Sequence, residues 1–266
     1  MSAPVLRAEK LSSGYENLLV FSDLSVSIQK GKITTIIGPN GCGKSTLLKT
    51  IGRILKQKSG KVFLQEQDIK HISTKEIAKQ MALLAQSSEA PGQLKVEELI
   101  SYGRFPHRKN MGTLSKKDQE VIDWAMELTK ITAFRNREIS QLSGGQRQKV
   151  WLAMALAQET DILLLDEPTT YLDMAHQLDV LSIVEELNNK HGCTVVMVLH
   201  DINHAARFSH ELIAMKDGVI AAIGTPHEIL TKEVMRQVFQ IDAKIMVDEE
   251  IGVPVCYGYN ILKEEF

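Results

Sequence analysis

Three apolar runs along the chain show no alternation of apolar and polar positions. They are 33-ITTIIG-38, 161-DILLLDE-167 and 193-CTVVMVLHD-201. Strands that are buried on both faces have this pattern, and they occur in parallel sheets covered by helices. Between the last two runs, residues 174–190 have the pattern of an amphipathic helix. The chain is therefore predicted to contain a parallel sheet with helices on its faces.

The opening third has another pattern and predicts short β elements. The stretch 24-LSVSIQ-29 alternates apolar and polar residues, and 30-KGK-32 has the composition of a turn. After the run at 33–38, residues 44–55 carry apolar positions at helical spacing. This order predicts a strand, a glycine-containing loop and a helix.

Helical patterns dominate the chain from about residue 88 to 158. Pro91 and Gly92 interrupt the chain near the start of this region. Ser115, with Asp118 three residues later, is typical of a helix N-terminus. We interpret residues 88–158 as a helical insertion between two strands of the main sheet.

The C-terminal part predicts a β-hairpin and a short helix. Residues 212–224 form two apolar stretches around an Asp-Gly turn at 217–218. A capping box with proline at the first helical position follows, formed by Thr225, Pro226 and Glu228. Residues 240–260 predict a short β extension, and their pattern indicates no function.

Composition and charge disfavour two classes of protein, those that bind nucleic acid and those that span a membrane. The 266 residues carry a formal net charge of −2, so no basic field favours binding to nucleic acid. Hydrophobic residues make up 44% of the chain, but no apolar run reaches the roughly 18–20 residues of a membrane span. The three cysteines form no CxxC pair, which favours a reducing compartment, and the N-terminus lacks the apolar core of a secretory signal.

The first candidate site is a phosphate-binding loop. The segment 38-GPNGCGKST-46 matches GxxxxGK[ST] and lies between a predicted strand and a predicted helix. Its backbone N–H groups are expected to surround phosphates, with Lys44 neutralising the β- and γ-phosphates and Ser45 ligating Mg²⁺. The predicted nucleotide contacts are Gly38, Pro39, Asn40, Gly41, Cys42, Gly43, Lys44, Ser45 and Thr46. A redox role for Cys42 is an alternative to its being a small residue that fits the loop.

Two adjacent carboxylates end the predicted strand at 162–166. Asp166 at the strand tip is a candidate Mg²⁺ ligand. Glu167 is a candidate base that polarises a water for attack on the γ-phosphate. Alone, such a pair is common and usually only solvated; the phosphate loop is what favours the catalytic interpretation.

Gln86 and His200 each follow an apolar run, 81-MALLA-85 and 194-TVVMVL-199 respectively. Ligands of open parallel sheets bind at the carboxyl ends of strands, so both residues are candidate nucleotide contacts. His107, His176 and His204 have no such placement and are interpreted as structural or surface residues.

A further helix start, 141-QLSGGQRQKVWLAMALAQ-158, resembles a phosphate loop but has no lysine. Ser143 and Gln146 have the spacing of a capping box. Glycines at the first helical positions, Gly144 and Gly145, lower helix propensity by roughly 1 kcal/mol each. Their use is to let another group approach the exposed N–H groups, which predicts an anion whose charge is neutralised elsewhere.

In this order and spacing, GPNGCGKS, Gln86, LSGGQ, ILLLDE, 171-YLD-173 and His200 closely resemble the nucleotide-binding subunit of an ABC transporter. The resemblance covers essentially the whole chain. It implies an α/β P-loop NTPase fold with a RecA-like, mainly parallel sheet. An N-terminal antiparallel β subdomain and the helical subdomain of residues 88–158 complete that fold.

The resemblance also implies how the site works. Tyr15 would stack on adenine, Gln86 would touch Mg²⁺ and signal to the membrane subunit, and His200 would contact the γ-phosphate. Ser143, Gly144, Gly145 and Gln146 of one subunit would close over the ATP bound to a second copy, and Asp173 would link the two sites.

Finer similarity lies in 102-YGRFPHR-108, 146–181 and 200–218, which look like the ATPases of bacterial iron–siderophore importers, a group that includes haem and vitamin B12 importers. The implied partners are integral-membrane permease subunits and, indirectly, an extracytoplasmic substrate-binding protein. The implied location is the cytoplasmic face of the cell membrane, with ATP and Mg²⁺ as cofactors. Two alternatives stay open, a soluble ABC protein without a transporter and a phosphate-loop kinase for a small molecule.

Overall fold

The structure is a computed structural model that describes residues 3–86, 91–108 and 113–262. The strands in chain order are β1 (Pro4–Tyr15), β2 (Leu18–Gln29), β3 (Ile33–Ile37), β4 (Ser59–Leu64), β5 (Gln67–Asp68), β6 (Met81–Leu84), β7 (Ile162–Asp166), β8 (Thr194–Val198), β9 (Glu211–Lys216), β10 (Val219–Gly224), β11 (Ile241–Val247) and β12 (Pro254–Ile261). The α-helices are α1 (Lys44–Ile51), α2 (Thr74–Gln80), α3 (Val96–Ser101), α4 (Lys116–Leu128), α5 (Gly144–Leu156), α6 (Met174–His191), α7 (Ile202–Phe208), α8 (Pro226–Ile229) and α9 (Lys232–Val234). Short 3₁₀ segments lie at Ile69–His71, Tyr102–His107, Thr132–Phe134 and Ile139–Gln141, and a π turn lies at Met235–Phe239.

The chain divides into two compact units, and the first comprises residues 1–71 and 194–266. One of its sheets is antiparallel, with strand order β2-β1-β4-β5. In its other sheet β3 lies between β8 and β9 and is parallel to both, and β10 pairs antiparallel with β9. Every residue of β3 and β8 is buried, which is the pattern that their unbroken apolar runs predicted.

Local signals in the first unit are mostly confirmed. The hairpin of β9 and β10 turns at Asp217 and Gly218, both with positive φ. In α8 the carboxylate of Glu228 accepts a hydrogen bond from the backbone N–H of Thr225 at 2.7 Å, as the capping box predicted. Residues 241–261 form an antiparallel hairpin of β11 and β12.

The helix predicted over residues 44–55 was placed too long. α1 ends at Ile51 because Gly52 forms its C-cap, with its N–H donating to the carbonyl of Leu48 at 2.9 Å. Arg53 then takes a positive φ of 58°, which a continuing right-handed helix does not allow. The apolar positions at 54 and 55 therefore lie beyond the helix.

The second unit comprises residues 72–193 and pairs β6 parallel with β7. Every residue of β7 is buried, as the run at 162–166 predicted. The helical insertion of residues 88–158 begins at a residue outside the described ranges, and its described part contains α3, α4 and α5. Its extent as a subdomain stays a prediction.

A buried ion pair joins the helices of the second unit. Arg104 is only 2% exposed, and its Nε donates to Asp118 Oδ1 at 2.9 Å while its Nη1 donates to the carbonyl of Ala157 at 2.8 Å. Ser115 caps α4 as predicted, with its backbone N–H donating to Asp118 Oδ2 at 2.9 Å. Burial would raise the pKa of Asp118, but hydrogen bonds from Ser115 and Arg104 outweigh it and lower that pKa to about 2.

This network predicts a pH dependence of the second unit. Because the pKa of Asp118 is depressed from 3.8, its stabilising effect is complete above about pH 4 and is lost as the pH falls through about 2. We expect the unfolding free energy at pH 7 to be lower in Asp118→Asn by about 2 kcal/mol, and this deficit to shrink between about pH 4 and pH 2.

The measurement is urea unfolding followed by tryptophan fluorescence. Both tryptophans, Trp124 and Trp151, lie in the second unit, so the signal reports that unit. Glu120→Gln, an exposed carboxylate on the same helix, is the matched control. A deficit of Asp118→Asn that does not change with pH would contradict the assigned role of the carboxylate.

Candidate functional site

The predicted phosphate loop connects β3 to α1 in the first unit. Gly38 has a φ of 149°, and a Cβ at this position would lie 2.1 Å from the backbone oxygen of Met215. Gly43 has a φ of 105° and packs near the side chains of Val20 and Phe21 of β2. Only glycine meets both requirements, so β9 and β2 hold the loop close against the strands.

The ammonium group of Lys44 lies over this loop. Its side chain is buried, and Nζ donates to the carbonyl oxygens of Gly38 and Pro39, each at 2.9 Å. The first backbone N–H groups of α1, which follow the loop directly, have no acceptor within the helix. A positive charge and unpaired N–H groups at one helix start form a binding site for phosphate.

Cys42 is buried within the loop. Burial raises the pKa of its thiol, an effect that Lys44 partly offsets. The thiol is therefore protonated at neutral pH, and a protonated thiol is a poor nucleophile and a poor target for oxidation. A Cβ on Gly38 would lie 2.9 Å from Cys42 Sγ, which favours packing rather than redox chemistry for this residue.

Two other predicted nucleotide contacts lie in the same unit. Tyr15 is the last residue of β1, is 46% exposed and pairs with Leu18 of β2, the strand that also packs on the phosphate loop. His200 is exposed and follows the carboxyl end of β8, the parallel neighbour of β3. Tyr15 thus ends a strand that pairs with one packed on the loop, and His200 follows a strand that pairs with β3.

In the second unit, the structure brings Gln86 and Glu167 into direct contact. They follow the parallel strands β6 and β7, whose carboxyl ends meet at one edge. Gln86 Nε2 donates to Glu167 Oε2 at 2.5 Å, and Thr170 Oγ1 donates to the same oxygen at 3.0 Å. Glu167 is only 9% exposed and has a φ of 54°, unusual for a residue with a side chain. The carboxylate is therefore held in one orientation by its backbone and by two donors.

Asp166, which precedes Glu167, is fully buried at the end of β7. Thr170 was not among the predicted site residues; its signal in the sequence is only its position three residues after Glu167, within 166-DEPTT-170. A hydroxyl at that spacing can reach back to the carboxylate across a turn.

The lysine-free glycine segment starts α5. Ser143 is the N-cap and forms the predicted capping box, since Ser143 Oγ accepts from the N–H of Gln146 at 3.3 Å. In return, the N–H of Ser143 donates to Gln146 Oε1 at 3.0 Å. Because Oγ accepts within the helix, the hydroxyl hydrogen of Ser143 is the group that can be donated to a ligand. The N–H groups of Gly144 and Gly145 lack acceptors within the helix.

Asp173 is the N-cap of α6. Its Oδ1 accepts from the N–H of His176 at 2.9 Å and from the ring Nδ1 of His176 at 2.7 Å. These hydrogen bonds lower the pKa of Asp173. His176 was interpreted as a structural or surface residue, and the structure gives it a specific partner among the predicted site residues.

Comparison with known proteins identifies the family. The family model described as "ABC transporter" matches residues 21–170. The chain is 54% identical over 98% of its length to the iron(3+)-hydroxamate import ATP-binding protein FhuC of Bacillus subtilis (strain 168), of which it covers 97%. The chain belongs to the ABC transporter family. The predicted ABC transporter ATPase is therefore confirmed, and so is ATP as its nucleotide.

Solved structures of ABC proteins have the same fold. An inward-facing conformation of a putative metal-chelate type ABC transporter matches with a TM-score of 0.82 and 28% identity, covering 98% of both chains. A dimeric bacterial ABC transporter cassette matches with a TM-score of 0.73 and 28% identity, covering 83% of this chain and 98% of the other. The prediction of an α/β P-loop NTPase with an antiparallel β subdomain and inserted helices is confirmed.

The predicted site residues fall into two groups according to the unit that contains them. The phosphate loop, Tyr15 and His200 lie in the first, and Gln86, Asp166, Glu167, the segment Ser143 to Gln146 and Asp173 lie in the second. Within residues 3–86, 91–108 and 113–262, no helix is both long enough and apolar enough to cross a membrane.

Proposed function

We propose that this ABC subunit hydrolyses ATP to drive import of an iron(III)–siderophore complex, with a hydroxamate chelate as the first candidate. The high identity to a protein named for iron(3+)-hydroxamate import, over nearly the whole of both chains, carries this proposal. The similarity to a putative metal-chelate type transporter supports it.

The phosphate loop binds the nucleotide. Residues 38–46 supply N–H groups and the Lys44 ammonium to the phosphates, and Tyr15 supplies an exposed ring on which adenine stacks. The hydrogen bonds of Lys44 to Gly38 and Pro39 hold the ammonium over the loop. Little reorganisation is then needed when the phosphates bind.

Mg²⁺ fits the donor set of this chain. Ser45 is half-buried at the start of α1, Asp166 is a fully buried carboxylate, and Gln86 directs its amide nitrogen to Glu167. Hydroxyl, carboxylate and amide oxygens are the ligands that Mg²⁺ prefers. When bound, the ion would neutralise charge on the β- and γ-phosphates.

Glu167 is the group that accepts a proton from the attacking water. The contacts with Gln86 and Thr170 hold Oε2 and so orient the carboxylate that is to accept the proton. His200, exposed at the end of β8, contacts the γ-phosphate. Gln86 thus contacts the proposed base and is itself a proposed Mg²⁺ ligand, which suits a residue that reports the state of the nucleotide.

The working unit is a homodimer with ATP between the copies. Ser143, Gly144, Gly145 and Gln146 of one copy donate to the phosphates held by the other copy, whose Lys44 supplies the positive charge. This explains why these four residues, which we call the signature segment, need no lysine among them. Asp173, at the start of α6, links the two sites.

The membrane partners are permease subunits, to which a substrate-binding protein delivers the chelate from outside the cytoplasm. The surface around Gln86 and residues 88–108 receives a cytoplasmic helix of the permease; residues 88–90 of this surface lie outside the described ranges. Tyr102 and Phe105 are exposed there, with stacked rings 5.1 Å apart. The subunit is peripheral, on the cytoplasmic face of the membrane, and consists of one ATP-binding domain with a helical subdomain and a short C-terminal β extension.

Transport measured in proteoliposomes tests this function. The chain is combined with a permease of an iron(III)–hydroxamate importer, and uptake of a ferric hydroxamate is followed with ATP enclosed on the side of the chain. We expect uptake that requires ATP and is lost in Lys44→Ala. Failure to associate with any permease would favour a soluble ABC protein, and a phosphorylated product on an added acceptor would favour a kinase.

A further inference from the structure

The ring of His176 contacts two motifs at once. Through Nδ1 it donates to Asp173 Oδ1 at 2.7 Å, at the start of α6. Its other edge faces Gly145, the second glycine of the signature segment. A Cβ built on Gly145 would lie 2.5 Å from His176 Cδ2 and 3.0 Å from Cγ. The ring therefore occupies the space that any larger residue at position 145 would need.

The two signature glycines consequently have different surroundings. A Cβ on Gly144 would meet no described atom within 4 Å, so this position is open toward a ligand. The missing side chain of Gly145 instead makes room for a residue of the same chain. The sequence interpretation, in which both glycines let an anion approach the N–H groups, stays a prediction, and the structure adds that a residue of the same chain occupies the space beside Gly145.

We propose that His176 is a positioning residue that couples Asp173 to the N-terminus of α5, where the signature segment lies. The proposal rests on the proposed function, in which Asp173 and the signature segment both face the second copy of the chain. One side chain fixes the spacing between them, because the ring can move away from Gly145 only by giving up its bond to Asp173. When two copies close on ATP, Asp173 and the signature segment of each copy are then already at the spacing that the dimer needs.

A double-mutant cycle in thermal unfolding tests the contact without reference to activity. Alanine is a better helix former than glycine, so Gly145→Ala is expected to raise Tm in a His176→Ala background by about 2 °C. In the presence of His176 the same change forces the ring away, so it raises Tm less or lowers it. The matched control is Gly144→Ala, whose effect on Tm should be equal in both backgrounds because its Cβ is unobstructed.

Kinetics of the full-length chain test the positioning role. We expect His176→Ala to lower kcat for ATP about tenfold while changing the affinity of one chain for ATP by less than about twofold. His176→Asn can place an amide nitrogen where Nδ1 lies and should recover most of the lost kcat. Recovery by asparagine separates a specific bond to Asp173 from general loss of folding.

Each result decides the proposal. Equal effects of Gly145→Ala in both backgrounds, an unchanged kcat in His176→Ala, or an asparagine variant as slow as the alanine variant would overturn it. If the wild-type chain hydrolysed no ATP, the proposed function would fail. The unfolding cycle would still show whether His176 contacts Gly145 at the start of α5.

Discussion

Glu167→Gln is expected to lower the rate of ATP hydrolysis by about 100-fold or more while leaving the affinity for ATP within about twofold of wild type. Glutamine removes the proton acceptor but keeps an oxygen that can accept the hydrogen bonds from Gln86 and Thr170. It also keeps the size of a side chain that is 9% exposed on a backbone with a φ of 54°. The variant should therefore fold and bind normally and fail at the chemical step.

The measurements are single-turnover hydrolysis and equilibrium binding of Mg–ATP. Glu120→Gln is the matched control, because it removes an exposed carboxylate from α4 in the same unit. Thr170→Val removes one of the two donors to Oε2 and should cost less than the loss of the carboxylate itself. Hydrolysis by Glu167→Gln at the wild-type rate would show that another group accepts the proton.

The second large effect is expected at Ser143. Ser143→Asp keeps a good N-cap for α5, since aspartate accepts from the same N–H groups, but places a carboxylate where the partner's γ-phosphate would lie. We expect ATP binding to a single chain to be unchanged and steady-state hydrolysis to fall about 100-fold, because like charges oppose closure of the dimer.

A neutral variant at the same position separates the effect of the negative charge from the effect of replacing serine. Ser143→Asn also caps the helix but adds no negative charge, so its hydrolysis rate should lie well above that of Ser143→Asp. Circular dichroism checks that α5 is intact in both. An aspartate variant that bound ATP poorly as a single chain would mean that Ser143 belongs to the site of its own chain, contrary to the proposal.

Local patterns were sufficient to predict the buried strands, the helix caps and the turn between β9 and β10. The unbroken apolar runs at 33–37, 162–166 and 194–198 became fully buried strands, because a residue there has no solvent on either side of the sheet. Capping boxes at Ser115, Ser143 and Thr225 depend on residues three positions apart, so the sequence alone contains them.

β1 lies in the opening third, where short β elements were predicted, but its bounds were not predicted, for a physical reason. Its pairing with β2 shifts register between Ala8 and Leu11 and again between Leu11 and Ser13. Such irregularities break the period of two on which strand prediction depends. The residues therefore alternate poorly in sequence, although the strand runs over Pro4–Tyr15.

The site was predicted by motif, and its supporting contacts were not. The phosphate loop and the position after a buried strand made Glu167 a candidate base, but the donors to its carboxylate depend on where the turn after β7 directs Thr170 and where β6 ends. His176 was visible three residues after Asp173, yet its contact with Gly145 brings together positions 31 residues apart (176 minus 145). Contacts of that kind require the packing of two helices and cannot be derived from a local pattern.

The molar mass of Glu167→Gln in solution tests the central claim, that ATP joins two copies through the signature segment. Light scattering with saturating Mg–ATP should give the mass of two chains, and without nucleotide the mass of one. Adding Ser143→Asp to the same chain should return the mass to one chain with ATP still bound. A single-chain mass for Glu167→Gln with ATP, or a dimer that persists after Ser143→Asp, would contradict the account.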